Sequence, residues 1–170
     1  EKDLKLTSSI LENLDKNTGL SILTKSDLIL RDIDLLQQFK KLEVGMTINS
    51  FCGKEKEFFE PDSPTNQKRI NCLKELKKNN IKTYCFVSPI IPKITDIELV
   101  IEQTKKCADY FWFEIINLRG ADKEFITILE KNYPESLETL RDKNKLEKYI
   151  ENLKGLIEKE NIQVRGIELH

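Results

Sequence analysis

The sequence has a single histidine, His170, and it is the last residue. A histidine base and a histidine-rich metal site are therefore all but excluded, and His170 itself reads as a tail residue. Cysteine occurs at four positions only: Cys52, Cys72, Cys85 and Cys107, spaced by 20, 13 and 22 residues. No pair is close enough for a CxxC-type clamp, so no zinc or iron–sulfur site made by this chain alone is expected. Reduced, mostly buried thiols are expected instead. There is no excess of either charge. Lys plus Arg number 28 and Asp plus Glu 29, a net charge of -1. A grip on nucleic acid through net charge is thereby disfavoured, leaving only a local basic face. No apolar run approaches the ~20 residues that cross a bilayer. The opening Glu1-Lys2-Asp3 is not a secretory leader. Together with the unclustered cysteines, this points to the cytoplasm.

What is present is the balance of a globular chain. Hydrophobic residues make up 39% and charged residues 34% of 170 positions, about one domain's worth. Along the chain, helical and strand periodicities alternate. Leu4 to Leu14 reads as a helix with Gly19 at its C′ position. Leu20 to Leu23 is a short strand. Asp32 to Leu42 reads as a helix, and Val44 to Ser50 as the second strand. Phe51 to Ser63 reads as a long loop, followed by a helix with Ser63 as N-cap and Pro64 in its first turn. Ile81 to Val87 is a third strand, rich in β-branched and aromatic residues. Two prolines make Ser88 to Pro92 a loop, and Thr95 with Glu98 forms a capping box for the next helix. Tyr110 to Leu118 is the fourth strand. Gly120 to Tyr133 and Pro134 to Glu160 read as helices, and Ile162 to Leu169 as a last strand.

Such alternation predicts βα units and a parallel sheet, with ligands at the edge formed by the strand C-terminal ends. The expected fold class is α/β, with parallel βα units forming part of a TIM-type (β/α)6 barrel. Residues 1–120 would be the barrel part and 121–170 a helical C-terminal extension. The strand tips are polar: Thr24-Lys25-Ser26, Thr47-Ile48-Asn49-Ser50, Ser88-Pro89 and Ile116-Asn117-Leu118-Arg119. Lys25, directly after an apolar strand, suits a carboxylate or a phosphate. Strand alternation places Ser21, Leu23 and Lys25 on one face, and Gly45, Thr47 and Asn49 on the same side of the next strand. In the fourth strand it groups Tyr110, Trp112, Glu114 and Ile116 against Phe111, Phe113, Ile115 and Asn117. A carboxylate in so apolar a strand must face a cavity or be paired.

Taken in order, these tips resemble one branch of the radical S-adenosylmethionine superfamily, the branch of spore photoproduct lyase. The resemblance rests on Leu6-Thr7 and Leu11-Glu12, on Thr24-Lys25-Ser26 with Arg31-Asp32-Ile33-Asp34-Leu35-Leu36, and on Thr47-Ile48-Asn49-Ser50 with Phe59-Glu60-Pro61, Pro64 and Arg69. It continues through Val87 to Pro92 with Thr95-Asp96, and ends at Asn117-Leu118-Arg119-Gly120, covering roughly residues 3–120. It implies a partial barrel of six βα units. It also implies a [4Fe–4S] cluster on a CxxxCxxC loop, and S-adenosylmethionine cleaved reductively to a hydrogen-abstracting radical. The difficult chemistry belongs to the cofactors, which the protein positions.

This chain has no CxxxCxxC, and its strands would be the third to sixth. The resemblance therefore places the cluster ligands upstream, in another part of the same protein, making this chain a C-terminal fragment that is inactive alone. The alternative is a relative that has lost its cluster and binds a nucleotide or a partner. By the resemblance, Lys25 reaches the methionyl carboxylate of the cofactor. Asn49, Ser50 and the neighbouring Ser26 lie beside its methionyl or ribose portion, Ser88 and Pro89 approach the adenosine, and Asn117 lies near the adenine. Glu60 and Arg69 are expected to form a structural ion pair, and Cys52 to be incidental. A photoproduct lyase would need a basic patch for damaged DNA, and Arg119, Lys123 and scattered lysines do not concentrate into one. The substrate is not named by the sequence. An unpaired first strand predicts dimerisation or strand swapping.

Overall fold

A computed structural model describes residues 3–169; His170 lies outside the described residues. Five strands form one parallel sheet in the order β1-β2-β3-β4-β5. They are β1 (Gly19–Thr24), β2 (Lys41–Ile48), β3 (Lys82–Ile90), β4 (Tyr110–Ile115) and β5 (Val164–Leu169). The sequential order is decisive. With right-handed crossovers throughout, every connection falls on the same side. A doubly wound sheet would instead reverse its order and carry helices on both faces. The expected α/β class with parallel βα units is what the chain adopts.

Alternation along the strands separates the two faces. Leu20, Ile22, Val44, Met46, Ile48, Cys85, Val87, Phe111, Phe113 and Ile115 face the helical layer and build the main core. That layer includes α4 (Asn66–Lys78), α5 (Ile97–Thr104) and α8 (Lys143–Glu160), which contribute Leu73, Leu76, Val100, Ile101 and Leu153 to the same core. Residues 121–169 thus add β5 to the one sheet and Leu153 to its main core. A second, smaller cluster joins Phe51 and Ile91 to Leu129 of α6 (Lys123–Asn132) and Leu137 of α7 (Pro134–Arg141). No helix among the described residues is long and apolar enough to cross a membrane.

Several sequence expectations are corrected. The first helix, α1, is shorter, Leu6–Asn13, and Gly19 opens β1 opposite Lys41 rather than closing the helix. The apolar spacing from Ile33 to Leu42 mimics a helix. Instead a 3-10 turn, Asp27–Asp32, leads into one turn of α2, Ile33–Leu36, and Leu42 already belongs to β2. A seven-residue helix, α3 (Gly53–Phe59), interrupts the expected loop. Thr65, not Ser63, accepts the capping hydrogen bond of α4 from the Lys68 amide. Asp96, not Thr95, caps α5 through the Leu99 amide. Thr95 Oγ1 instead accepts from the Ile91 amide and donates to the Pro89 carbonyl, which ties the turn after β3. The expected loop at Ser88-Pro89 is strand: β3 runs on to Ile90 through a register irregularity after Val87. The fourth strand stops at Ile115. The long C-terminal helix breaks at Asp142, whose Oδ1 accepts from the amides of Asn144 and Lys145 and starts α8.

Candidate functional site

The face of the sheet opposite the helices is aromatic. Tyr84 stacks on Tyr110 with ring centroids 4.9 Å apart, and Phe86 meets Trp112 edge-on at 5.7 Å. Gly45 permits the Tyr84 ring to lie there, because a Cβ at Gly45 would sit 2.2 Å from it. Toward the strand N-terminal ends this face is closed by charge. Glu43 accepts from Ser21 and Arg165, each at 3.1 Å, and pairs with Lys82 at 3.4 Å. The Arg165 guanidinium lies 5.0 Å from the Trp112 ring centroid and donates to the Tyr110 hydroxyl at 3.2 Å. Burial and the nearby Glu43 carboxylate push the Tyr110 hydroxyl up to about 12, against the pull of Arg165. Toward the other end lie acceptors. Ser88 donates to Glu114 Oε2 at 2.5 Å, and the Trp112 indole donates to Glu168 at 3.2 Å. Glu114 and Glu168 are register partners on adjacent strands.

The strand C-terminal edge holds the residues singled out from the sequence. Lys25 projects from the end of β1 with its side chain 44% exposed, and its ammonium pairs with Glu60 at 2.6 Å. Glu60 is buried, and its other oxygen accepts from Arg69, whose side chain is 1% exposed. Burial pushes the Glu60 carboxyl up, but the hydrogen bonds from Arg69 and then Lys25 outweigh it and hold the group below its ordinary value.

The Asn49 side chain is committed inward. Its Oδ1 accepts from the Phe51 amide at 3.0 Å and from Asn66 Nδ2 at 3.1 Å, while its Nδ2 donates to the Ser88 carbonyl at 3.4 Å. Ser26 Oγ accepts from the Leu28 amide, Ser50 Oγ from the Asp96 amide, and Asn117 Oδ1 from the Arg119 amide. Ser26 and Asn117 shape local turns, while Ser50 ties the segment after β2 to the start of α5. Asn117 lines a cleft of about 530 Å³ together with Ile116, Arg119 and Phe125. The geometry therefore brings Lys25, Asn49, Ser88 and Pro89 to one edge and gives each a local structural task.

Sequence reasoning found the Glu60–Arg69 pair but not its third member, Lys25. Nor did it find Asn66, Arg165 or Glu168. Only the folded sheet, which brings Arg165 to Glu43 across 122 residues and Glu168 to Trp112 across 56, could have revealed the last two.

The cluster implied by the resemblance does not fit this chain's residues. Among the described residues no three His, Cys, Asp or Glu side chains gather to hold a metal ion. Cys72, Cys85 and Cys107 are buried and only Cys52 is exposed. Burial pushes the Cys72 and Cys85 thiols up to about 12, away from the thiolate that ligation requires. The half-exposed ammonium of Lys25 at the strand C-terminal edge is chemically suited to a carboxylate.

No family model matches the chain. It is 50% identical over all 170 residues to an uncharacterized protein of Methanocaldococcus jannaschii, and it spans 65% of that protein's length. It is 27% identical over 117 residues, 64% of this chain, to an uncharacterized protein of Acidianus two-tailed virus, of which the match covers 39%. Among solved structures it is similar in fold to spore photoproduct lyase complexed with dinucleoside spore photoproduct. There the TM-score is 0.63 at 15% identity, over 97% of this chain and 55% of the other. A cysteine-to-serine variant of the lyase gives 0.64 over the same shares.

Proposed function

We propose that this chain is the part of a radical S-adenosylmethionine enzyme that holds the organic portion of the cofactor. The observation that carries the reading is Lys25. It is a half-exposed cation at the strand C-terminal edge, paired with a buried carboxylate. The fold likeness to spore photoproduct lyase supports it, as does the order of the strand-tip residues. In this reading Lys25 binds the methionyl carboxylate. Ser26, Asn49 and Ser50 lie beside the methionyl and ribose portions, the Ser88-Pro89 segment of β3 approaches the adenosine, and Asn117 lies toward the adenine. When bound beside an iron–sulfur cluster, the cofactor supplies hydrogen-abstracting radical chemistry. This chain's own residues bind, orient and shield it.

The cluster ligands belong, in this proposal, to a part of the same cytoplasmic protein outside these 170 residues. The Methanocaldococcus jannaschii relative, of which 65% is matched, has room for such a part. The reading therefore requires a CxxxCxxC in the full-length protein, and a full-length sequence without it would sink the idea.

A second reading is a cluster-free scaffold that binds a nucleotide. It is favoured by the internal engagement of Asn49 and Ser50. Calorimetric titration with S-adenosylmethionine separates the two. The full-length protein, reconstituted without oxygen, is expected to bind saturably, and the 170-residue chain alone is expected not to bind at micromolar concentration. Tight binding by the chain alone contradicts the proposed division of labour. Binding by a full-length protein that takes up no iron–sulfur chromophore favours the scaffold.

A further inference from the structure

We infer that Glu60 and Arg69 are positioning residues that hold the Lys25 ammonium ready for a ligand carboxylate; the inference rests on the functional reading above. The three charges form a chain from the protein interior to the strand edge. Arg69 is anchored first. Its Nη1 donates to the Thr47 carbonyl of β2 at 3.1 Å, its Nε to the Pro64 carbonyl at 2.9 Å, and its Nη2 to Ser63 Oγ at 2.7 Å and to Glu60. Glu60, with a side chain 5% exposed, then spans from this fixed guanidinium to Lys25 at 2.6 Å.

Two cations flank one carboxylate, so the group carries one net positive charge. Arg69 and Glu60 are buried and Lys25 is 44% exposed, so that excess is presented at Lys25. A lysine on a free four-carbon stem must lose rotamer freedom before it binds. Here the ion pair with Glu60 at 2.6 Å already holds the ammonium at the strand edge, and its exposure leaves it within reach of an incoming acceptor. The net positive charge presented at Lys25 suits an anionic oxygen acceptor such as a carboxylate. Sequence spacing gives no hint of this, since Lys25, Glu60 and Arg69 come from three different segments.

The test compares S-adenosylmethionine with its decarboxylated form in equilibrium binding to the full-length protein. The wild type is expected to prefer the carboxylate-bearing ligand. Lys25→Ala and Glu60→Gln are each expected to cut that preference about tenfold, ~1.4 kcal/mol, while affinity for the decarboxylated form stays unchanged. A merely structural role for Glu60 would weaken both ligands alike. If Glu60→Gln does not fold, Glu60→Asp, which keeps the charge but shortens its reach, is expected to show the same selective loss. A wild type that binds neither ligand overturns the functional reading and this inference with it. A wild type that prefers S-adenosylmethionine, with full preference retained in the folded Glu60 variant, overturns the inference alone.

Discussion

Removing the Glu60 carboxylate leaves the Arg69 guanidinium buried without its ionic partner. Breaking a buried pair from one side costs about 3–5 kcal/mol, so Glu60→Ala is expected to lower the denaturant midpoint by that equivalent. The same group sets a pH dependence. Its folded-state pKa lies below the ordinary carboxylate value. Its stabilisation is therefore full above the unfolded value and is lost as pH falls through the folded one. Denaturation midpoints measured from pH 7 downward should fall with acid more steeply in the wild type than in Glu60→Gln. A parallel decline would show that Glu60 is not the titrating group. Gly45 is the other position where one atom decides. The Tyr84 ring in its way is 3% exposed and stacked on Tyr110, so it has nowhere to move. Gly45→Ala is expected to cost about 1–3 kcal/mol, and pairing it with Tyr84→Ala should relieve the clash term, a coupling that a double-mutant cycle measures.

Among the elements, strands were more legible than the segments between them. The run Tyr110 to Ile115 shows its two faces by simple alternation, and the structure buries Phe111, Phe113 and Ile115 while leaving Tyr110, Trp112 and Glu114 half-buried. Period 2 survives because each face of the sheet has its own environment. Short helices were less legible. In α2 and α3 only one or two turns exist, too few for a 3.6-residue period to stand out from chance apolar spacing. Caps were displaced by a residue or two because Ser63, Thr65, Thr95 and Asp96 are all competent acceptors, and tertiary contacts chose among them. The strand-tip candidates were legible in position. The inward commitment of Asn49 was not, since it depends on Asn66, seventeen residues away. The break before α8 gives an element-scale prediction. Asp142→Ala removes the acceptor for two amides and is expected to cost ~1 kcal/mol, read as a lowered thermal midpoint by circular dichroism.

At the scale of the whole molecule, the sheet has two borders: among the described strands β1 pairs with β2 alone and β5 with β4 alone. Leu23 in β1 is 46% exposed, and Leu4, Leu6 and Ile10 are exposed nearby in sequence. An edge of this kind invites another strand. The isolated 170-residue chain is expected to self-associate with rising concentration in light scattering, and a concentration-independent monomer would count against it. In the full-length protein the proposal gives that border to the remaining βα units, whose loop would bring iron to the edge where Lys25 waits. The most direct test is the release of 5′-deoxyadenosine from S-adenosylmethionine by the anaerobically reconstituted full-length protein under reducing conditions. The account predicts release by the wild type and a marked loss in Lys25→Ala. A protein that takes up no cluster and releases none, though correctly folded, would contradict it.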